Sequence, residues 1–179
     1  MFFFLITPVS NARADRLKEA LKTQAFSVDI LKGLDDLTGY KFAYHLNGYS
    51  YDGIKSLGLL TFYWEISINV WEFDCVNQED LNTVIAISPV FTSDFYTNKE
   101  LFMLRWEFGI GISVAEKTKF AKKDIGTHFQ FEDRLGIAID FGRNFNQTIS
   151  IRYFHYSNAG LDNKNSGVDF LGLAYAYKF

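Results

Sequence analysis

Between Leu101 and Val114 the chain reads LFMLRWEFGIGISV, and its apolar residues recur at every second position. Phe102, Leu104, Trp106, Phe108, Ile110, Ile112 and Val114 share one face, while Met103, Arg105, Glu107, Gly109, Gly111 and Ser113 share the other. A period of two is the strand period; on a helix it would scatter apolar side chains all round. The same division recurs in THFQFEDRLGIAIDF, where Phe129, Phe131, Leu135, Ile137, Ile139 and Phe141 oppose His128, Gln130, Glu132, Arg134, Gly136, Ala138 and Asp140. It recurs again in YWEISINVW, with Trp64, Ile66, Ile68 and Val70 opposite Glu65, Ser67 and Asn69.

The two faces differ in kind. One is nearly unbroken and rich in aromatic residues; the other mixes ionisable groups of both signs with glycine. A soluble sandwich buries its apolar face and wets its charged one. A small membrane barrel does the reverse, turning apolar side chains to lipid and packing a paired polar network into a narrow lumen. Spanning a bilayer takes about 9 to 11 tilted residues per strand, and closure leaves no backbone group unpaired in lipid. The candidate strands are Phe26 to Lys32, Tyr40 to Asn47, Gly58 to Phe73, Leu81 to Phe91, Glu100 to Ala115, Gly126 to Gly142, Thr148 to Asn158 and Val168 to Phe179. These eight predict an all-β, eight-stranded antiparallel transmembrane β-barrel of the outer membrane. Pro89 lacks the N–H that a paired strand needs, so a bulge or kink is expected there.

Composition narrows the rest. With 179 residues, 18% of them aromatic and only 2 prolines, the chain is the size of one strand-built domain. A net charge of −3 is too small to imply nucleic acid. The lone Cys75, in the polar run DCVNQED, excludes an internal disulfide framework and reads as incidental within a loop. Residues 1–14, MFFFLITPVSNARA, end in a small-x-small pattern and read as a signal peptide, or the remnant of a longer one without its basic start. A buried N-terminal strand is the alternative; the run is too short for a transmembrane helix. Residues 15–25 form a lead-in with helical spacing in DRLKEALKT, and 26–179 form the barrel domain.

Parity orients the strands. With both termini periplasmic, the segments near 33–39, 74–80, 116–125 and 159–167 lie outside the cell. The third of these, EKTKFAKKDI, carries Lys117, Lys119, Lys122 and Lys123; it is either a solvated loop or a contact for lipid phosphates. On the same parity Glu65, Arg105, Glu107, His128, Glu132, Arg134 and Asp140 face the lumen and read as its ionic filling. His45 has no evident partner in the sequence.

The outer rim also holds RYFHYSNAG, Arg152 to Gly160. His155 and Ser157 there share the face of Ile149, Ile151 and Tyr153, which is the lipid face. Asp169 has the parity of Leu171, Leu173, Tyr175, Tyr177 and Phe179, so it too points outward on the neighbouring strand. A histidine, a hydroxyl and a carboxylate thus fall on one face at one level, the elements of a Ser-His-acid set. Each alone is an ordinary rim residue. Together they face lipid, where polar groups cost free energy unless paired or used.

RYFHYSNAGL followed by NSGVDF, with EFGIGISVAE and GTHFQFEDRLGIAIDFG upstream, resembles the lipid A 3-O-deacylase (PagL-like) family of outer-membrane acyl hydrolases. The resemblance runs from about Ser56 onward and is most specific over Gly109 to Phe179. It implies Ser157 as nucleophile, His155 as general base and Asp169 as the acid, where the best-known form of the family has glutamate. It also implies Asn158 and a backbone N–H of the Ala159–Gly160 turn as oxyanion donors. Phe179 resembles the terminal aromatic of outer-membrane barrels. The implied reaction is hydrolysis of the ester-linked 3-hydroxyacyl chain of lipid A through an acyl-serine, with no metal or organic cofactor. Its partners would be lipopolysaccharide and outer-membrane lipids, with a homodimer left open. An esterase or phospholipase acting on another outer-leaflet lipid, and a non-catalytic structural barrel, are the competing expectations.

Overall fold

The period-two segments form β1 (Ala25–Gly33), β2 (Leu37–His45), β3 (Thr61–Cys75), β4 (Gln78–Asn98) and β5 (Phe102–Ala115). A two-stranded ribbon, β6 (Lys119–Phe120) and β7 (Lys123–Asp124), comes next, then β8 (Phe129–Phe141), β9 (Gln147–Ser157) and β10 (Val168–Lys178). The computed structural model describes residues 24–33, 36–49, 52–56, 58, 61–75, 78–98 and 101–179. The expected signal segment and nearly all of the lead-in lie outside the described residues.

The eight long strands close into one antiparallel barrel in the order β1-β10-β9-β8-β5-β4-β3-β2. Each barrel strand pairs with the barrel strands before and after it in the chain, and β1 seals against β10 from Ala25↔Lys178 to Gly33↔Phe170. This is the expected eight-stranded fold, with strand ends shifted by a few residues. Two small elements had no period-two signal: the ribbon, and a helix at Asp52–Ser56. Cys75 ends β3 and pairs with Gln78 at the start of β4, so it stands in a strand and not in the expected polar loop.

Closure sorts the side chains as the alternation requires. On the outer wall Ile110 is 63% exposed and Ile151 58%, while Glu107 between the same strands' inward neighbours is 0%. An apolar wall of this extent, facing out, is what lipid rather than water accommodates.

The lumen is filled, not open, and it has two layers. In the middle, the carboxylates of Asp29, Glu65, Glu107, Glu132 and Asp140 meet the cations of Lys41, Arg105, Arg134, Arg152 and Lys178. Glu132 shows how completely such a group is satisfied. Its Oε2 accepts from Lys41 Nζ at 2.8 Å and from Tyr156 at 2.8 Å, and its Oε1 from Ser88 at 2.8 Å and Arg134 at 3.1 Å. Arg134 also grips both oxygens of Glu65, and Arg152 Nε lies 2.9 Å from Glu107. Space for these long side chains is made by glycine: a Cβ at Gly111 would lie 1.9 Å from Ser88 Oγ.

Towards the end where β9 meets β10, the lumen turns apolar. Trp71, Phe73, Phe154, Tyr156 and Phe170 pack with Phe120, Ala121 and Ile125 of the ribbon segment, which folds over the barrel mouth as a lid. Phe120 is 2% exposed, with its ring 6.3 Å from that of Trp71. Thus EKTKFAKKDI is more than a charged loop: its apolar residues plug the barrel while its lysines stay at the rim, Lys117 on Asp80 at 2.8 Å and Lys122 over the Phe73 ring.

Three expectations need correction. Pro89 causes no register shift: it pairs with Trp64 of β3, and the bridges to β5 resume at Val90↔Gly109 in the same register. The irregularity in β4 lies instead between Asp94 and Tyr96. His128 does not join the lumen network, because β8 starts only at Phe129; it is exposed, with Nδ1 2.8 Å from the carbonyl of Ala115. His45, conversely, is buried and partnered: Nε2 lies 3.0 Å from Glu65 and 3.2 Å from Ser27 Oγ, and the ring stacks on Tyr63.

Candidate active site

Register decides whether residues that share a face also share a level. In the β9–β10 pairing Asp169 stands directly opposite His155, and Val168 opposite Tyr156. Both side chains of the first pair point to the outer wall. His155 Nδ1 is 2.7 Å from Asp169 Oδ1. A carboxylate can only accept, so Nδ1 carries the proton of this bond. The pair is half-buried, with 36% of the imidazole and 26% of the carboxylate side chain exposed, which leaves it accessible from the membrane side.

Ser157 lies on the same face two positions along β9, opposite Phe131 of β8. Among the described residues no hydrogen bond joins its hydroxyl to the imidazole. The structure therefore brings histidine and acid into contact and places Ser157 two positions further along the same face of β9. Unliganded hydrolase sites commonly hold the nucleophile and base at a looser distance than the reacting complex does.

The turn after Ser157 is left-handed at two successive residues. Ala159 (φ 51°) and Gly160 (φ 81°) are both left-handed, and Leu161 N–H donates to the carbonyl of Asn158 at 3.0 Å, as in a type I′ turn. Asn158 is fully buried and occupied on every side. Its Nδ2 donates to the carbonyls of Ile125 at 2.9 Å and Lys164 at 2.8 Å, its Oδ1 accepts from Gly160 N–H at 2.9 Å, and its own N–H donates to Asn165. In this arrangement Asn158 clamps the turn to the lid, and neither its amide nor Gly160 N–H is free to bind an oxyanion. The parity of Asn158 explains this: it faces inward, opposite in sense to Ser157.

Several neighbours went unmarked in the sequence. Asp133 of β8 pairs with His155 from its other side and interrupts the outer apolar stripe between Phe131 and Leu135, a break in parity that would have revealed it. Tyr153 donates its hydroxyl to the same Asp169 oxygen at 2.6 Å. Gly167 is left-handed (φ 61°), and a Cβ there would stand 3.1 Å from His155 Cε1, so the ring packs against the missing side chain. Lys123 Nζ reaches the Gly167 carbonyl at 3.4 Å. Beyond the strands, Lys164 sits 3.0 Å from Asp124 and, with the N–H of Gly126, holds that carboxyl below the usual aspartate range. No cluster of metal-ligating side chains is present among the described residues.

The chain as a whole resembles known proteins. The model of the lipid A 3-O-deacylase (PagL) family matches residues 38–178. Lipid A deacylase PagL of Pseudomonas aeruginosa is 31% identical over 133 residues, covering 72% of this chain and 73% of that protein. Lipid A deacylase PagL of Bordetella bronchiseptica is 41% identical over 85 residues, 43% of this chain and 47% of its own length. The crystal structure of the outer membrane enzyme PagL superposes with a TM-score of 0.66 at 26% identity, covering 86% of this chain and 98% of that one.

Proposed function

Since the chain belongs to the lipid A 3-O-deacylase (PagL) family, we propose that it removes the ester-linked 3-hydroxyacyl chain of lipid A by a Ser-His-acid mechanism on its lipid-facing wall. The observation that carries this reading is the 2.7 Å contact between His155 and Asp169 on the outer face of an outer-membrane barrel, with Ser157 on the same face. A structural barrel gains nothing from an imidazole and a carboxylate turned towards lipid.

In this mechanism His155 Nε2 takes the proton from Ser157 Oγ as the oxygen attacks the ester carbonyl. Asp169 holds the ring in the required tautomer and stabilises the imidazolium. The tetrahedral intermediate collapses as His155 returns the proton to the sugar oxygen, which leaves as the 3-hydroxyl, and the acyl group stays on Ser157. Water, activated by the same imidazole, then releases the 3-hydroxy fatty acid and restores the serine. The oxyanion needs N–H donors near Ser157. With Asn158 and Gly160 committed to the turn, Ala159 N–H is the remaining donor of the expected set, or the turn opens on binding to free one of the others.

With the β9–β10 end outermost, the site lies where the outer leaflet's acyl chains join their headgroups, and the substrate arrives laterally. Mass spectrometry of lipid A from cells expressing the wild type, Ser157→Ala and Asp169→Asn tests the reading. Loss of one hydroxyacyl chain in the wild type alone is the expected result. Unchanged lipid A beside a folded wild-type barrel would overturn the substrate, and released phospholipid acyl chains would replace it. Full activity of Ser157→Ala would overturn the mechanism.

A further inference from the structure

The acid of this site is held from two directions, and only one of them comes from histidine. Tyr153 and His155 lie two apart on β9 and so share the outer face; Tyr153 is level with Leu171, His155 with Asp169. The phenol therefore reaches diagonally across the strand pair to Asp169, within the range of such neighbours for a long side chain. Its hydroxyl donates to Oδ1 at 2.6 Å, the oxygen that also accepts from His155 Nδ1 at 2.7 Å. A carboxylate oxygen has two lone pairs, and these two donors use both.

Building on the proposed mechanism, we infer that Tyr153 is a positioning residue, whose hydroxyl fixes the Asp169 carboxylate so that Oδ1 stays on the imidazole. Aspartate ends in a carboxylate plane that rotates freely about its last bond. Without a second anchor that rotation exchanges the two oxygens and carries the acceptor off the line of Nδ1. The phenol stops it. It also supplies a donor on the side nearest the hydrocarbon, where a carboxylate otherwise lacks water. Of the other charged groups around the ring, Asp133 stands across from His155 on β8 and is itself an acceptor, while Lys123, whose Nζ reaches the Gly167 carbonyl, acts on Asp169 as a nearby positive charge and leaves the phenol's place on Oδ1 to Tyr153. The simpler role for Tyr153, an aromatic of the membrane interface with a polar tip, needs the ring but not a particular partner for the hydroxyl.

Tyr153→Phe separates the two roles, since it keeps the ring and removes one oxygen. In purified barrels reconstituted with lipid A, the variant should fold with the wild type's heat-modifiable mobility. Its kcat should fall roughly tenfold to a hundredfold, the span for losing a hydrogen bond to a charged group, while KM stays within about twofold. In an Asp169→Asn background, followed over long incubations, the same change should have little further effect, because the residue acts through the carboxylate. Full activity of Tyr153→Phe would overturn the inference. So would a rise in KM, or an equal loss in both backgrounds, either of which would put the phenol on the substrate. An active Ser157→Ala control would instead indict the mechanism on which the inference rests.

Discussion

Gly167 offers the sharpest test of how the histidine is held. A methyl group at this position meets two independent obstacles. The backbone at φ 61° is left-handed, which costs a residue with a Cβ about 1 to 2 kcal/mol. The Cβ itself would stand 3.1 Å from His155 Cε1, against an optimal carbon–carbon separation of about 3.5 to 4.0 Å. Relieving the contact moves the ring by about half an ångström. Since about 1 Å of misplacement costs roughly a hundredfold in rate, the expected loss for Gly167→Ala is roughly tenfold in kcat. Gly167→Asn distinguishes the two obstacles. Asparagine tolerates the left-handed region, so it should recover most of the stability lost by the alanine variant while losing rate to a similar degree, because its Cβ occupies the same place. Initial rates of acyl release from lipid A in vesicles, with denaturant unfolding of the same samples, provide both quantities. A folded Gly167→Ala barrel with wild-type turnover would refute the packing of the ring against this glycine.

Other consequences concern the barrel. Arg134→Met removes one of the two cations that Glu65 and Glu132 share and should lower unfolding stability by about 3 to 5 kcal/mol, measured in detergent, with turnover per folded molecule little changed. Ile151→Lys, on the middle of the lipid face, should cost about 2 to 4 kcal/mol, whereas Leu161→Lys in the exposed turn should be close to neutral; parallel denaturation titrations compare them. The Lys164–Asp124 bridge ties the β9–β10 loop to the lid. Its carboxylate is depressed and its ammonium raised, so the bridge persists across neutral pH. It is lost only as pH falls through the lowered carboxyl value or rises through the raised ammonium value. Hydrogen exchange of residues 159–167 should therefore show no pH-specific loosening near neutrality once intrinsic rates are allowed for, and extra opening at strongly acid pH.

The barrel was legible because each strand such as Leu101–Val114 repeats a single instruction many times over. A one-residue slip would turn Ile110 inward and Glu107 into lipid, so parity alone orients every side chain. The outward placing of His155, Ser157 and Asp169 came from the same source. Whether Asp169 meets His155 depends on register, which the length and turn chemistry of 158–167 set and parity does not. The lid escaped notice because Phe120, Ala121 and Ile125 carry no period; they are buried by where the chain returns, not by repetition. His128 was misjudged at a strand end, where one residue of boundary decides between lumen and solvent; the partner of His45, Glu65, stands opposite it on β3, a matter of register that the sequence alone does not show. Pro89 misled because the missing N–H interrupts only the bridges towards β5, and the ladder to β3 holds the register through it.

The outward face of β9 and β10 has a kinetic corollary. A catalyst whose reactive groups lie on its convex wall sees substrate in two dimensions, so the relevant concentration is a mole fraction among neighbouring lipids rather than an amount per litre. Diluting lipid A with inert detergent at constant bulk concentration should slow the enzyme, while diluting the whole suspension should leave each particle's turnover unchanged. The composition of the membrane around the barrel thereby becomes a control on its rate.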